Sequence, residues 1–246
     1  MQFIDIHCHI LPGLDDGAFQ AEDSLQMADV ALSGLTGGIV ATPHRLPGCP
    51  YTADELKKTH FRISNILREK GKKITLFLGQ EILLTESITP IVDGLEKGIL
   101  FTINGSVYPL IEFDFGEKAE YVYRSVSILV SRGFTPIIAH PERYDFLAEN
   151  PDAAWGLHDL GALLQVNKGS PAGAFGRNAA KMAAFLLEER LADFVASDAH
   201  SPFVRTPFMK DAHEWISETY SIDYADHLMF SNPLRVLKNE KISSYR

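Results

Sequence analysis

The chain reads as an α/β domain, a closed or nearly closed β/α barrel, on three observations. Short β-branched, apolar runs alternate with longer amphipathic stretches, several runs are apolar on both faces, and a His, Asp or Glu follows nearly every one. Strands alternating with helices imply a parallel sheet with right-handed crossovers. A run such as Thr135-Pro136-Ile137-Ile138-Ala139 lacks the polar alternation of a half-exposed strand, so it implies cover on both faces. About seven such units suit a barrel better than an open sheet.

The first strand, Phe3–Ile6, leads into His7-Cys8-His9. Residues two apart on a strand share a face, so both imidazoles can aim at one point while Cys8 faces away as a small buried hydrophobe. Asp15-Asp16-Gly17 follows in a short loop, then a helix over Ala21–Ser33. The second strand, Gly38–Ala41, ends in Thr42-Pro43-His44-Arg45 and precedes a helix over Ala53–Lys70. The third, Ile74–Leu78, runs into Gly79-Gln80-Glu81, with a short helix over Glu86–Lys97. The fourth, Val107–Phe113, carries Glu112 and precedes a helix over Ala119–Arg132. The fifth, Thr135–Ala139, delivers His140-Pro141-Glu142-Arg143, followed by a short helix over Asp152–Leu160. The sixth, Leu163–Val166, ends at Asn167 before a helix over Arg177–Arg190. The seventh, Phe194–Ala196, ends in Ser197-Asp198-Ala199-His200, and a last helical region begins near Pro207 and continues past Trp215.

In β/α barrels the loops after the strand C-termini build the active site. Taken singly, a Glu after a strand is a helix cap or a solvated charge, and a single His is a structural one. Taken together, these groups converge on one mouth. Imidazoles and carboxylates without thiolates suit hard or borderline divalent ions: Mn, Fe, Zn, Mg or Co. The candidates exceed what one ion can use, so about two or three ions are implied, an arrangement that activates water and clamps the oxygens of a phosphoester or amide.

Composition narrows the classes. At 246 residues the chain has room for one large domain, and no Gly/Ser-rich linker, low-complexity tract or repeat divides it, so residues 1–246 are read as one domain. A net charge of −9 argues against a nucleic-acid binder. No run approaches the roughly 20 apolar residues of a membrane helix, and no signal peptide is expected before the first strand. Cys8 and Cys49 do not make a disulfide framework, and the expectation is a reduced, soluble, cytoplasmic protein with no membrane insertion. The oligomeric state stays open; the loop around Cys49 and the helix containing Trp215 read as ordinary packing.

His7-Cys8-His9, Asp16, Thr42-Pro43-His44, Gly79-Gln80-Glu81, Glu112, Ala139-His140-Pro141-Glu142-Arg143-Tyr144 and Ala196-Ser197-Asp198-Ala199-His200 resemble the motifs of the PHP (polymerase and histidinol phosphatase) superfamily. Within it, the stretch from His7 to Gly17, with Gly79-Gln80-Glu81 and His140 to Tyr144, is most similar to the bacterial manganese-dependent protein tyrosine phosphatases of capsular and exopolysaccharide systems. The resemblance runs from His7 to Arg205. It implies a distorted (β/α)7 barrel with a trinuclear metal site, Mn2+ first among the ions, at the C-terminal ends of the strands. One ion would take His7, His9, Glu81 and Asp198; a second would share Glu81 and add Glu112 and His140; the third would take Asp16, His44 and His200. Arg143 and Arg205 match the family's phosphate-binding positions, and a guanidinium's planar fork suits a phosphoryl group. Arg45 is a further candidate substrate contact. The chain departs from the family in having Thr206 between Arg205 and Pro207, and its loop from Leu46 to Pro50 is apolar and proline-rich; both put substrate choice in question rather than metal binding.

The expected reaction is in-line attack of an ion-activated water on phosphorus, with Arg143 and Arg205 holding phosphoryl oxygens and Asp16 or His44 assisting the leaving group. The implied substrate is a phosphotyrosine protein, such as the tail of a polysaccharide-assembly tyrosine kinase. The alternatives are a histidinol-phosphatase-like small-molecule phosphoesterase, a metal-dependent amide or lactone hydrolase, and a non-catalytic regulatory domain. A thiol-based phosphatase is excluded, because Leu14 and Glu55 stand where its phosphate-cradling arginine would follow Cys8 or Cys49; a P-loop motif is absent.

Overall fold

The computed structural model describes residues 2–46, 48–85, 87–242 and 245. The expected helix start at Glu86 and Pro47 of the apolar loop lie outside the described residues. The strands are β1 (Phe3–Cys8), β2 (Thr36–Ala41), β3 (His44–Arg45), β4 (Thr75–Leu78), β5 (Glu81–Leu84), β6 (Leu110–Phe113), β7 (Ile137–Ala139), β8 (Leu163–Asn167) and β9 (Phe194–Ala196). Every pairing between them is parallel.

The strands form two sheets, β1-β2-β4 and β3-β5-β6-β7-β8-β9, where the sequence led us to expect one. The division has a local cause. Pro43 has no N–H to continue the ladder, so pairing lapses between Ala41 and His44. Opposite it, Gly79 sits so close that a Cβ there would meet Val40 Cγ1 at 3.0 Å and Thr42 Cγ2 at 3.3 Å. Two hydrogen bonds cross the bend, Gly79 N to Ala41 O at 2.9 Å and Glu81 N to Pro43 O at 3.3 Å. His44 and Glu81 therefore open new strand segments instead of lying in loops. The other junction is between the end of β1 and the chain after β9: Asp198 N donates to His7 O at 2.9 Å and His9 N to Ala199 O at 2.8 Å. The strands at Val107 and Thr135 begin later than expected, at Leu110 and Ile137, each just after a proline.

The helices are α1 (Ala21–Ser33), α2 (Ala53–Glu69), α3 (Thr89–Glu96), α4 (Ala119–Ser131), α5 (Asp145–Glu149), α6 (Ala153–Asp159), α7 (Arg177–Glu188), α8 (Lys210–Thr219), α9 (Ile222–Asp226) and α10 (Asn232–Leu237). The start of α2 is fixed by a capping box in which Thr52 Oγ1 accepts from Glu55 N and Glu55 Oε2 accepts from Thr52 N. The last helical region opens with α8 at Lys210, three residues after Pro207. The segment before it passes the end of α1, near enough that a Cβ on Gly34 would lie 2.9 Å from Met209 N. α5 has too few turns to show a helical period, and α9 and α10 run on through a π-helical turn at His227–Ser231 that interrupts theirs; all three went unread in the sequence.

Burial explains the apolar strands. Leu110, Ile137, Ala139, Leu163, Phe194 and Ala196 pack into one cluster, while Ile111, Phe113, Ile138, Leu164, Val166 and Val195 pack against α4, α6, α7 and α8 in another. Strand parity assigns Glu112, Gln165 and Asn167 to the first of these faces. Cys8 is fully buried beside Ile10, Leu11 and Ile39, and both cysteines are free. Among the described residues no helix is long and apolar enough to cross a membrane.

Candidate functional site

Local chain geometry brings nine of the predicted residues together. His7 lies one residue before the end of β1 and His9 just after it, Asp16 lies in the loop before α1, His44 and Glu81 open β3 and β5, Glu112 sits on β6, His140 follows β7, and Asp198 and His200 follow β9. Their ligand atoms form four overlapping groups, each with its atoms within 4.8 Å of one another: His9, Asp16, His44 and His200; His7, His9 and Asp198; His7, Glu81 and His140; His44, Glu81 and Glu112. The grouping implied by the resemblance puts His9 with His7 and Asp198, and here His9 also faces Asp16, His44 and His200. The His7 and His9 Nε2 atoms are 3.2 Å apart, His140 Nε2 is 2.9 Å from Glu81 Oε1, and His200 Nε2 is 3.4 Å from Asp16 Oδ1.

The charge balance is concentrated. Burial pushes the Glu81 carboxyl up, but His7, His140 and His44 outweigh it and hold the group well below the usual carboxylate range. Burial likewise acts against a charged His7, yet Glu81 and Asp198 raise that imidazole to about 9. Burial and the neighbouring Glu81 charge push Glu112 up to about 7. Asp198 is held low by His7 and His9 against the burial that opposes it. His140 Nδ1 is buried without a hydrogen-bond partner, and the buried Glu81 Oε2 faces His44 Nδ1 at 2.9 Å and His9 Nε2 at 3.3 Å. Buried lone pairs turned toward imidazole nitrogens, with oxygen and nitrogen donors only, fit divalent cations.

Three supporting residues escaped the sequence. Gln165 Oε1 meets His7 Nδ1 at 2.8 Å, Asp15 Oδ2 meets His9 Nδ1 at 2.7 Å, and Asn167 Nδ2 donates to Asp198 Oδ2 at 2.6 Å. Partners on the far ring nitrogen fix a ligating histidine's tautomer and direction. Asp15 also accepts from the His44 backbone N at 2.9 Å, tying two cluster loops together. Adjacency to Asp16 and the shared strand parity of Gln165 with Asn167 were the available signals. The left-handed backbone of His140 (φ 34°), Asp198 (φ 50°) and Arg205 (φ 51°) carries no sequence signal, because none of them is glycine.

The arginines differ in placement. The Arg205 guanidinium contacts the Asp198 carboxylate, and its Nε is buried and unpartnered. Arg143 lies on the turn after His140, its Cζ 4.1 Å from the Phe115 ring centroid. Arg45 lines a cavity of about 550 Å³ with Leu46, Leu83, Ile91 and Lys97, beside α3.

The family model described as capsular polysaccharide synthesis, CpsB/CapC, matches residues 3–238. The chain belongs to the CpsB/CapC family. It is 32% identical to the tyrosine-protein phosphatase YwqE of Bacillus subtilis over 97% of this chain and 93% of the relative. It is also 32% identical to the tyrosine-protein phosphatase CpsB of Streptococcus pneumoniae over 97% of this chain and all of that protein. A solved chain from the structures of YwqE and CpsB, described as metal-dependent tyrosine phosphatases, matches with a TM-score of 0.88 at 32% identity, covering 98% of this chain and 96% of its own. A phosphotriesterase homology protein of Escherichia coli shares the fold at a TM-score of 0.61 and 13% identity, covering 96% of this chain and 98% of its own. The motif resemblance pointed to the same CpsB/CapC relatives.

Proposed function

We propose that this CpsB/CapC chain is a metal-dependent protein tyrosine phosphatase of capsular or exopolysaccharide synthesis. It acts in the cytoplasm on a phosphotyrosine protein, with the tail of a polysaccharide-assembly tyrosine kinase as the substrate. Residues 1–246 form one domain, a distorted (β/α)7 barrel in which β2–β3 and β4–β5 are each a single bent strand. The observation that carries the proposal is the set of four overlapping ligand groups, joined through His7, His9, His44 and Glu81, at one end of the strands beside two arginines.

His7, His9, Asp16, His44, Glu81, Glu112, His140, Asp198 and His200 hold the ions, manganese first among them. Bound there, divalent ions supply an activated water and neutralise charge on the phosphoryl oxygens. Arg143 and Arg205 orient the phosphoryl group and stabilise its charge. Gln165 and Asp15 hold the His7 and His9 rings in place. Asp16, whose side chain is 70% exposed, and His44 lie toward the mouth, where the leaving oxygen departs. A phenolate, with a pKa of about 10, needs little protonation help from them. A mouth open at Asp16 favours a protein-borne phosphate over an enclosed small molecule.

Turnover of a phosphotyrosine peptide, a phosphoserine peptide and histidinol phosphate, with and without manganese, tests this. Manganese-dependent turnover selective for phosphotyrosine is expected. Preference for histidinol phosphate moves the chain to the small-molecule branch, and failure on all three overturns the assignment.

A further inference from the structure

Phe175 lies in the segment between β8 and α7, from which no member of the ligand cluster comes. Its ring centroid is 4.8 Å from Arg143 Cζ and 5.4 Å from Arg205 Cζ. Arg143 has a second ring, Phe115, at 4.1 Å. One aromatic ring is therefore approached by two guanidiniums from separate loops, one after β7 and one after β9.

The segment holding Phe175 is tied down. Ala174 N donates to Gly169 O at 3.1 Å, Gly173 N to Ser170 O at 2.9 Å and Gly176 N to Gly173 O at 3.0 Å. A Cβ on Gly169 would lie 3.1 Å from Ala174 Cβ, so the turn closes on itself tightly. Its start is anchored to the residue before Arg143: Glu142 Oε1 accepts from Asn167 N at 2.9 Å and from Ser170 Oγ at 2.6 Å. Ring and guanidinium thus ride on turns joined by one buried carboxyl.

Two guanidiniums repel each other, and the ion pair with Asp198 already holds Arg205. A ring that attracts both holds them together, and a guanidinium stacked on a ring keeps its in-plane N–H groups free for oxyanions. Ordering them beforehand removes part of the entropy cost of binding an anion.

We propose that Phe175 is the positioning residue of the phosphoryl site, setting the spacing at which Arg143 and Arg205 clamp one tetrahedral oxyanion. This rests on the phosphatase function proposed above, which assigns those arginines to phosphate.

The test is calorimetric binding of inorganic phosphate to the manganese-loaded protein. Phe175→Leu should weaken phosphate binding about tenfold with manganese stoichiometry and thermal midpoint unchanged. Phe175→Tyr, which keeps the ring, should bind within about twofold of wild type. In an Arg205→Ala background Phe175→Leu should add little, because the ring acts through the arginines. Unchanged phosphate affinity in Phe175→Leu, an equal loss in the arginine-deficient background, or no phosphate binding by the wild type overturns the clamp. Ring-dependent phosphate binding in a protein that does not turn over phosphotyrosine leaves the clamp standing and removes the proposed function.

Discussion

Glu81 is the pivot of the cluster. Its two oxygens lie 2.9 Å from His140 Nε2 and His44 Nδ1, 3.2 Å from His7 Nε2 and 3.3 Å from His9 Nε2. On the proposed metal assignment, a fully buried carboxylate facing four imidazoles would serve more than one ion, so removing a flanking ligand should affect the whole centre. His140→Ala and Asp198→Ala are each expected to abolish turnover while far-ultraviolet circular dichroism and a cooperative melt persist; wild-type-like activity in either would remove the metal assignment. Asp15 acts one step away, through His9 Nδ1. Asp15→Asn should weaken metal binding by about 10–100-fold, read by titration of the chelated protein. Unaltered affinity would show that His9 does not depend on its carboxylate partner.

Short, exact turns place these groups. Gly17 closes the loop that follows His9, where Ala18 N donates to His9 O at 3.0 Å and Gly17 N to Asp15 Oδ1 at 3.0 Å. A Cβ at Gly17 would fall 2.2 Å from His9 O and 2.4 Å from His9 Cβ. Neither neighbour is the end of a flexible side chain, so the loop must move. Gly17→Ala should cost about 1–3 kcal/mol of stability, seen as a lower denaturant midpoint, and should also lower activity by displacing His9. A variant equal to wild type in both would show that the loop adapts without cost. The bends at Pro43 and Gly79 work in the same way on the opposite side, each breaking a ladder so that His44 and Glu81 start a new strand segment within the cluster.

Across the whole molecule the cluster draws together β3, β5 and β6 and the segments after β1, β7 and β9, and so bound ions should contribute to stability. At about a thousandfold excess of manganese over its dissociation constant the contribution is ~4 kcal/mol, or roughly 10 °C in thermal midpoint for a chain of this size. Chelation should remove it. The pH sense follows from His7. Its imidazole in the metal-free protein is raised to about 9, so it keeps a proton below that value and must release it to ligate. Metal affinity should therefore fall as pH falls, about tenfold per unit for each proton displaced, and the gap in thermal midpoint between loaded and chelated protein should narrow toward acid. A gap independent of pH would mean that the ligating imidazoles are already neutral.

Local pattern was enough to find the parallel α/β arrangement and the His, Asp and Glu residues after its strands. A strand's two-residue period and the placement of barrel chemistry at strand ends are short-range rules, and His7-Cys8-His9 and Ser197-Asp198-Ala199-His200 obey them within a few residues. The split into two sheets was not legible, since it depends on how closely Gly79 approaches Val40 and Thr42 from a neighbouring strand. Nor were the partners of the cluster. Gln165 on β8 reaches His7 on β1 across 158 residues of chain, and Glu142 reaches Ser170 across a helix-bearing stretch of chain. Phe175 meets Arg143 and Arg205 only because separate turns converge on its ring. Such contacts join residues distant along the chain, and their energies arise from burial and direction, which exist only once the strands have been brought side by side.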